Sequence, residues 1–438
     1  MDLKPHLRKI IIAAICFHVC IAILVQLGNR IFPLSRLFPD REIYQGQIQA
    51  LADAIKTSGV SAWFFALVPL HIKPYTLCYM IFARLGLSTL VYEPLNALLF
   101  IAILFFVFNL GRITFDAKTG LVAAAIVALW PSFLVTTTQP LKDPLFIALA
   151  LGFLTINLLW LKKSYLLPRA LLHCVIGLTN GCLLWVVKGE TWNVMIAIQI
   201  MTLALLLART RERRVSANIL GSVLLIISSL VIPRVAIHLY QPAIGWAEQR
   251  GVASLDTTRK FVAEPLGEMP AFSWAARIAQ LRHRFIAQFS GAGSSIDTNV
   301  EFRTTADIMR YLPRATAIGC LAPFPNMWFA SGLQNGRLGR IVGGLETLAL
   351  YFMEILAMIA LWNNRRSVST WWLVLASLIG MIALGLVVTN VGALFRMRYL
   401  YVMLIVILAV EGLRILLFKL RFPFVLYSRP EASSVLEV

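Results

Sequence analysis

Charged side chains of both signs stand at the ends of long apolar runs in this sequence, and that arrangement is where chemistry would begin. Asp40 and Glu42 occur in Phe38-Pro-Asp-Arg-Glu-Ile-Tyr44, and Lys142 and Asp143 in Gln139-Pro-Leu-Lys-Asp-Pro144. Lys188 and Glu190 occur in Val187-Lys-Gly-Glu-Thr-Trp192, and Arg396 and Arg398 close Asn390-Val-Gly-Ala-Leu-Phe-Arg-Met-Arg398. Each alone is tolerated at a span end by snorkelling, and a solvated helix end is then the simpler account. As a set they suit a substrate with an anionic headgroup, such as a phosphate or pyrophosphate carried on a lipid. Arg offers such a group a planar fork and Lys a point charge. A carboxylate opposite can take the proton of an attacking hydroxyl.

The elements that must position these groups follow from composition. The chain has 438 residues, 59% hydrophobic and 14% charged, where soluble domains run near ~25% charged. A soluble enzyme, a disordered chain and a disulfide scaffold are excluded. The six cysteines, Cys16, Cys20, Cys78, Cys174, Cys182 and Cys320, show no metal-ligand spacing and read as small apolar residues. The expected fold class is an all-α polytopic membrane protein of about ten transmembrane helices. The spans fall at 10–27, 93–111, 119–136, 144–161, 170–187, 193–208, 217–233, 343–362, 369–388 and 399–418. With both termini cytoplasmic, the inner loops carry Arg112 and Lys118, Lys162, Lys163 and Arg169, Arg209, Arg211, Arg213 and Arg214, then Arg365 and Arg366, as the positive-inside rule requires. No small-residue cleavage site follows the first run, so it reads as a retained span of a plasma (inner) membrane protein.

Two further apolar stretches, 61–84 and 313–332, are broken by His71, Lys73 and Pro74 and by Pro323 and Pro325. Counted as spans they would turn the basic loops outward, so both are expected to lie in, or dip into, the outer interface. The chain then divides into a seven-span module at 1–233 with a first outer loop at 28–92, a large outer loop at 234–342, and three spans with a short tail at 343–438. Within the large loop, Trp274, Ile278, Leu281, Phe285 and Phe289 recur at helical spacing among Arg277, Arg282 and Arg284. An amphipathic helix on the membrane surface explains that stripe. Gly291–Ser295 reads as a turn and Thr304-x-x-Asp307 as a helix start. Glu346 and Glu354 fall within a span and are either functional or hydrogen-bonded to a neighbouring helix. His283, between two arginines, reads as solvated.

Lys and Arg number 40 against 21 acids, for a net +19. In a soluble chain that would suggest nucleic acid; here the larger share orients the protein, and nucleic acid is excluded as a partner. Lys142, Lys188, Arg396 and Arg398 are the surplus that orientation does not require. There is no GxGxxG after a strand, no GxxxxGK[ST], no HExxH and no Asp-x-Asp pair. A group donor would arrive attached to lipid, with no cofactor and no metal expected.

These residues bring a family into view. The chain resembles the GT-C glycosyltransferases that use polyprenyl-phosphate sugars, a group including protein O-mannosyltransferases and bacterial aminoarabinose transferases. The resemblance rests on Asp40-x-x-x-Tyr44, on His71–Gly86, on Pro131-Ser-Phe-Leu-Val-Thr-Thr-Thr-Gln-Pro-Leu-Lys-Asp143 and on Asn390-x-Gly392-x-x-x-Arg396-x-Arg398. It implies a GT-C-like bundle with juxtamembrane helices in the first outer loop. It also implies inverting transfer of a sugar from lipid phosphate to a lipid, glycan or protein acceptor among membrane lipids. Asp40 and Asp143 match the family's two acidic catalytic positions. Arg396, with Arg398, Lys142 and Lys188, would hold the lipid phosphate, and Tyr44, Glu190 and Asn390 would line the substrate. Two features depart from the family: Lys73-Pro74 stands where a Pro-Pro pair is common, and little sequence follows the last span. A lipid-linked sugar transporter and a non-catalytic subunit of envelope polysaccharide assembly are the competing readings of the same charges.

Overall fold

Uncharged runs of Leu, Ile, Val, Ala and Phe can satisfy their backbone in hydrocarbon only by closing it into helices. The computed structural model describes residues 3–29, 39–66, 68–83, 90–209, 216–231, 274–288, 293–329 and 336–421. Residues 30–38 and 232–273, Arg211, Arg213, Arg214, Phe289, the start of the Gly291–Ser295 turn and the C-terminal tail lie outside the described residues.

The first half comprises α1 (Leu3–Gly28), α2 (Pro39–Ser58), α3 (Ser61–Phe65), α4 (Ile72–Phe82), α5 (Glu93–Thr114) and α6 (Ala117–Ala128). It continues with α7 (Pro131–Thr137), α8 (Lys142–Lys162), α9 (Leu167–Lys188), α10 (Trp192–Ala208) and α11 (Ser216–Val231). The second half comprises α12 (Trp274–Gln288), α13 (Thr305–Leu321), α14 (Gly336–Asn363), α15 (Val368–Val387), α16 (Val391–Met397) and α17 (Tyr399–Arg421). No named strand forms among the described residues; an isolated bridge pairs Ser295 with Asn390.

Among the described residues, seven helical stretches are long and apolar enough to cross a membrane, or eight if a bent pair is one span, and the difference from ten has identifiable reasons. Residues 119–136 are not one rod: α6 and α7 meet at 72°, where Trp130 leaves the helix ahead of Pro131. Glu346 of α14 fills that break, accepting from the Ser132 backbone N–H at 2.8 Å and from the Trp130 indole at 2.8 Å. This buried carboxylate is bonded to a neighbouring helix, the second of the two possibilities for it. The stretch Leu167–Ala208, 42 residues long, reverses at Gly189–Thr191. Lys188 at the end of α9 lies beside Asp143 at the start of α8, whereas Arg209 after α10 bonds the Leu161 carbonyl near the end of α8. The chain therefore travels up and back, as two spans would. Ser216–Val231 is apolar but only a short helix.

Two ends of the bundle can now be named. The far end gathers Asp116 with Arg414, Lys162 with the Thr114 carbonyl, and Asn218 with the Trp160 and Lys163 carbonyls. The site end gathers the starts of α2, α5, α8 and α17. α8 and α17 form the centre, with 78% and 72% of their apolar windows buried against 11% for α1. Near the site end a buried polar contact ties α1 to its neighbours: His18 Nδ1 is 2.5 Å from Glu93 Oε1, and Nε2 is 3.0 Å from Thr137 Oγ1.

Among the described residues, neither 61–84 nor 313–332 forms a span-length helix. Helices α2, α3 and α4 share a small core of Ile48, Leu51, Ala66, Ile72 and Tyr75, fastened to α5 where Tyr75 donates to Asn96 at 2.6 Å. Helix α13 starts at the expected Thr304–Asp307 capping box and dips alongside α15. A Cβ at Gly385 would run into the Ala315 carbonyl, and one at Gly319 into the Met381 carbonyl, so the two backbones meet through glycines. The stripe on α12, expected at the membrane surface, rests at least in part on protein: Ala275 and Ile278 pack with Phe302, Ile308 and Leu386. Arg282 draws the helix in by donating to the carbonyls of Asp297 at 2.6 Å and Leu386 at 2.8 Å. His283 is exposed.

The close α13–α15 contact predicts that Gly385→Val lowers the thermal unfolding midpoint in detergent and speeds proteolysis around α13. The expected cost is about 1–3 kcal/mol of overpacking. Gly343→Ala, at a position with no neighbour within 4 Å, should leave both readouts unchanged.

Candidate functional site

Four short pieces of chain bring the charges to one place. Asp40 sits in the first turn of α2 and Asp143 in the first turn of α8, where the exposed N–H groups of a helix favour a carboxylate. Lys188 is the last residue of α9 and leaves helical geometry with φ −154° and ψ 68°. Asn390 caps α16 by accepting from the Ala393 N–H at 3.1 Å, which sets the seven-residue helix that carries Arg396.

Arg396 is the centre of the arrangement. Its Nη2 lies 3.0 Å from Asp40 Oδ2 and its Nε 3.1 Å from Asp143 Oδ2, so one guanidinium near the C-terminal end spans two carboxylates from separate helices of the first half. The other oxygen of Asp143 lies 3.4 Å from Lys188 Nζ, and Lys188 also rests over the Phe146 ring at 4.9 Å. Lys142 Nζ stands 3.8 Å from Glu190 Oε1. The groups differ in access: the Asp40 side chain is 39% exposed and that of Arg396 24%, whereas Asp143 is 5% and Lys188 4%. Asp40 and Arg396 therefore lie nearer the protein surface, with Asp143 and Lys188 behind them. Burial works against the Arg396 cation, but Asp143 and Asp40 outweigh it and hold its pKa above the ordinary value.

Tyr44, one turn beyond Asp40, is half-buried in the same place; burial raises its phenol pKa, with Lys142 opposing. Against it, at a ring-centroid distance of 4.5 Å and edge-on, packs His71. In the sequence His71 marks a broken span and opens the His71–Gly86 run, with no role of its own; it is 1% exposed and neither ring nitrogen has a hydrogen-bond partner among the described residues. Burial pushes its pKa down to about 3, and the nearby Lys142 adds to the shift. The signal that could have found it is its place in His71-x-Lys73-Pro74, a polar interruption of an apolar run within the first outer loop.

Two of the expected residues do other work in this structure. Arg398 is 2% exposed and donates to the Ala322 carbonyl and, at 3.4 Å, to Thr347 Oγ1. It closes the C-terminal end of α13, where a cation is favoured by the helix dipole. Asn390 is engaged as a cap and as the bridge partner of Ser295. Glu190 is exposed beside Lys142, and Glu42 faces away as an exposed side chain of α2. No group of three His, Cys, Asp or Glu side chains gathers as metal ligands among the described residues.

The buried, neutral His71 has a consequence for stability. In the unfolded chain it takes a proton as pH falls through 6.5, while in the folded protein it resists until about 3. The unfolded state then binds the extra proton, so stability falls as pH drops across that window, by about 1.4 kcal/mol per pH unit for this group. His71→Gln should flatten the slope of the unfolding midpoint between about pH 4 and pH 6, measured against the unmodified chain.

No protein-family model and no curated protein sequence matches the chain. Among solved structures, an archaeal oligosaccharyltransferase, AglB from Archaeoglobus fulgidus, in complex with an inhibitory peptide and a dolichol-phosphate, is similar at a TM-score of 0.49 and 15% identity. The match covers 96% of this chain and 51% of that one, so the chain spans about half the length of the enzyme it matches.

Proposed function

We propose that the chain is an integral membrane glycosyltransferase that moves a sugar from a polyprenyl-phosphate donor to a lipid, glycan or protein acceptor, with inversion at the anomeric carbon. The observation that carries this reading is the Arg396 guanidinium, 3.0 Å from Asp40 and 3.1 Å from Asp143, at one end of the apolar bundle. The site end is assigned to the extracytoplasmic side because Arg112, Lys118, Lys162, Lys163, Arg209, Arg365 and Arg366 belong to the other end.

In this reading the acceptor hydroxyl or amine gives its proton to Asp40, the exposed carboxylate. Its oxygen or nitrogen bonds to the anomeric carbon as the carbon–oxygen bond to the lipid phosphate breaks. The leaving phosphate keeps the electron pair, and Arg396 with Lys142 and Lys188 meets the charge as it develops. Asp143 acts from behind, holding Arg396 and Lys188 in register. Arg398 serves the reaction indirectly, by fixing the segment that bears Arg396.

Two outcomes test the assignment with purified protein and a radiolabelled polyprenyl-phosphate sugar. Asp40→Asn should lower transfer by about 10²–10⁴-fold, the range for a positioned general base, while donor binding persists. Transfer near the unmodified rate would remove Asp40 from the chemistry. Arg396→Lys keeps the charge but cannot span two carboxylates, and should cost about 10²-fold or more in transfer together with weaker donor binding. In the same assay, translocation of the lipid without transfer would favour the transporter reading, and neither activity the non-catalytic one.

A further inference from the structure

The far end of the bundle holds a groove that the proposed reaction does not use. It has a volume of about 570 Å³ and is lined by Phe105, Phe106, Asn109, Arg112, Ile113, Thr155, Leu159, Lys162 and Lys163. Its floor and walls come from α5 and α8, and its rim carries three cations and no acidic residue. α8 runs from Asp143, in its first turn, to Lys162, its last residue, with no charged side chain between them. At 1.5 Å per residue that is about 30 Å, one hydrocarbon thickness. The groove therefore opens at the opposite membrane boundary from Asp40 and Arg396.

The positive-inside rule accounts for the presence of basic residues at this end, but not for the way two of them are held. The buried Asn109 side chain donates to the Phe105 carbonyl at 2.8 Å and accepts from Arg112 Nη2 at 2.9 Å, while the Arg112 guanidinium lies over the Phe108 ring at 5.6 Å. Lys162 Nζ reaches the Thr114 carbonyl at 3.3 Å. Both long side chains are thus ordered at the groove mouth in advance, which lowers the entropy lost on capturing a ligand. Below them the walls are apolar: Phe105 is 59% exposed, with Phe106, Ile113 and Leu159 beside it.

We propose that this groove binds a phospholipid with an anionic headgroup, its phosphate held by Arg112, Lys162 and Lys163 and an acyl chain lying along Phe105, Ile113 and Leu159. Charge complementarity selects the headgroup, and the position at the end of two spans selects a lipid over a soluble anion. The site is distinct from the transfer site and stands whether or not the chain moves a sugar.

The test is equilibrium binding of phosphatidylglycerol against phosphatidylcholine to the full chain in detergent, read by native mass spectrometry. The unmodified protein should retain phosphatidylglycerol in preference. Replacing Arg112, Lys162 and Lys163 together by Gln should cut that preference about tenfold or more, as expected for loss of charge-assisted contacts. Arg365→Gln with Arg366→Gln, which removes charge from the same end but outside the groove, should leave the preference unchanged. Asn109→Leu keeps every charge and frees Arg112, so it should give an intermediate loss; it also serves where the triple variant does not fold. Preference surviving the triple variant, or lost equally without Arg365 and Arg366, overturns the proposal. Equal competition by soluble glycerol phosphate also overturns it, because the groove would then be reading a free anion.

Discussion

One guanidinium holding two carboxylates is the constraint on which the site end is built. Taking three charged groups partly out of water is costly, and the cost is recovered only where each finds a partner at close range. Arg396 meets that demand with Asp40 on one side and Asp143 on the other, and Lys188 takes up the remaining oxygen of Asp143. Removing Arg396 would leave both carboxylates without their shared partner, with Lys188 still beside Asp143. The α2, α8, α9 and α16 ends are therefore locked to one another by electrostatics as much as by apolar packing.

The segment bearing Arg396 is braced from a second direction. Arg282 of α12 bonds the Leu386 carbonyl, the Ile296 N–H donates to the Thr389 carbonyl at 2.8 Å, and Arg398 holds the end of α13. Two buried arginines thus bind backbone carbonyls left open by helix ends and turns, where burial without a partner would be prohibitive. Arg398 stays charged at neutral pH even though burial pushes it down to about 10. A short helix that would be unstable alone is in this way held by the chain leading into it and by the residue that follows its last turn.

The charged set was legible in the sequence because its members interrupt or bound apolar runs, where charge is conspicuous. Asp40, Lys142, Asp143, Lys188, Glu190 and Arg396 come together as that pattern suggests. Arg398 does not join them, for a geometric reason: residues two apart on a helix point to different sides, so Arg396 and Arg398 serve different neighbours. His71 was not legible, because its environment is made by α2 folding over α4, a tertiary contact that no local spacing encodes. Span counting reached the all-α polytopic bundle but not the break within residues 119–136. Periodicity and hydropathy report apolar length, but the bend before Pro131 depends on Glu346 arriving from a helix more than two hundred positions away.

The helices that supply Asp40 form a small unit with a core of their own, Ile48, Leu51, Ala66, Ile72 and Tyr75. Its polar attachments to the rest of the protein include the Tyr75–Asn96 bond, a contact between Arg41 and Gln26 at 3.3 Å, and the Asp40–Arg396 pair, beside the packing of Tyr75 and Tyr79 on Tyr92. An anion that competes for Arg396 takes one of those fastenings away. In the proposed reaction the guanidinium that would meet the phosphate is therefore also one of the points at which the α2–α4 unit is pinned to the bundle.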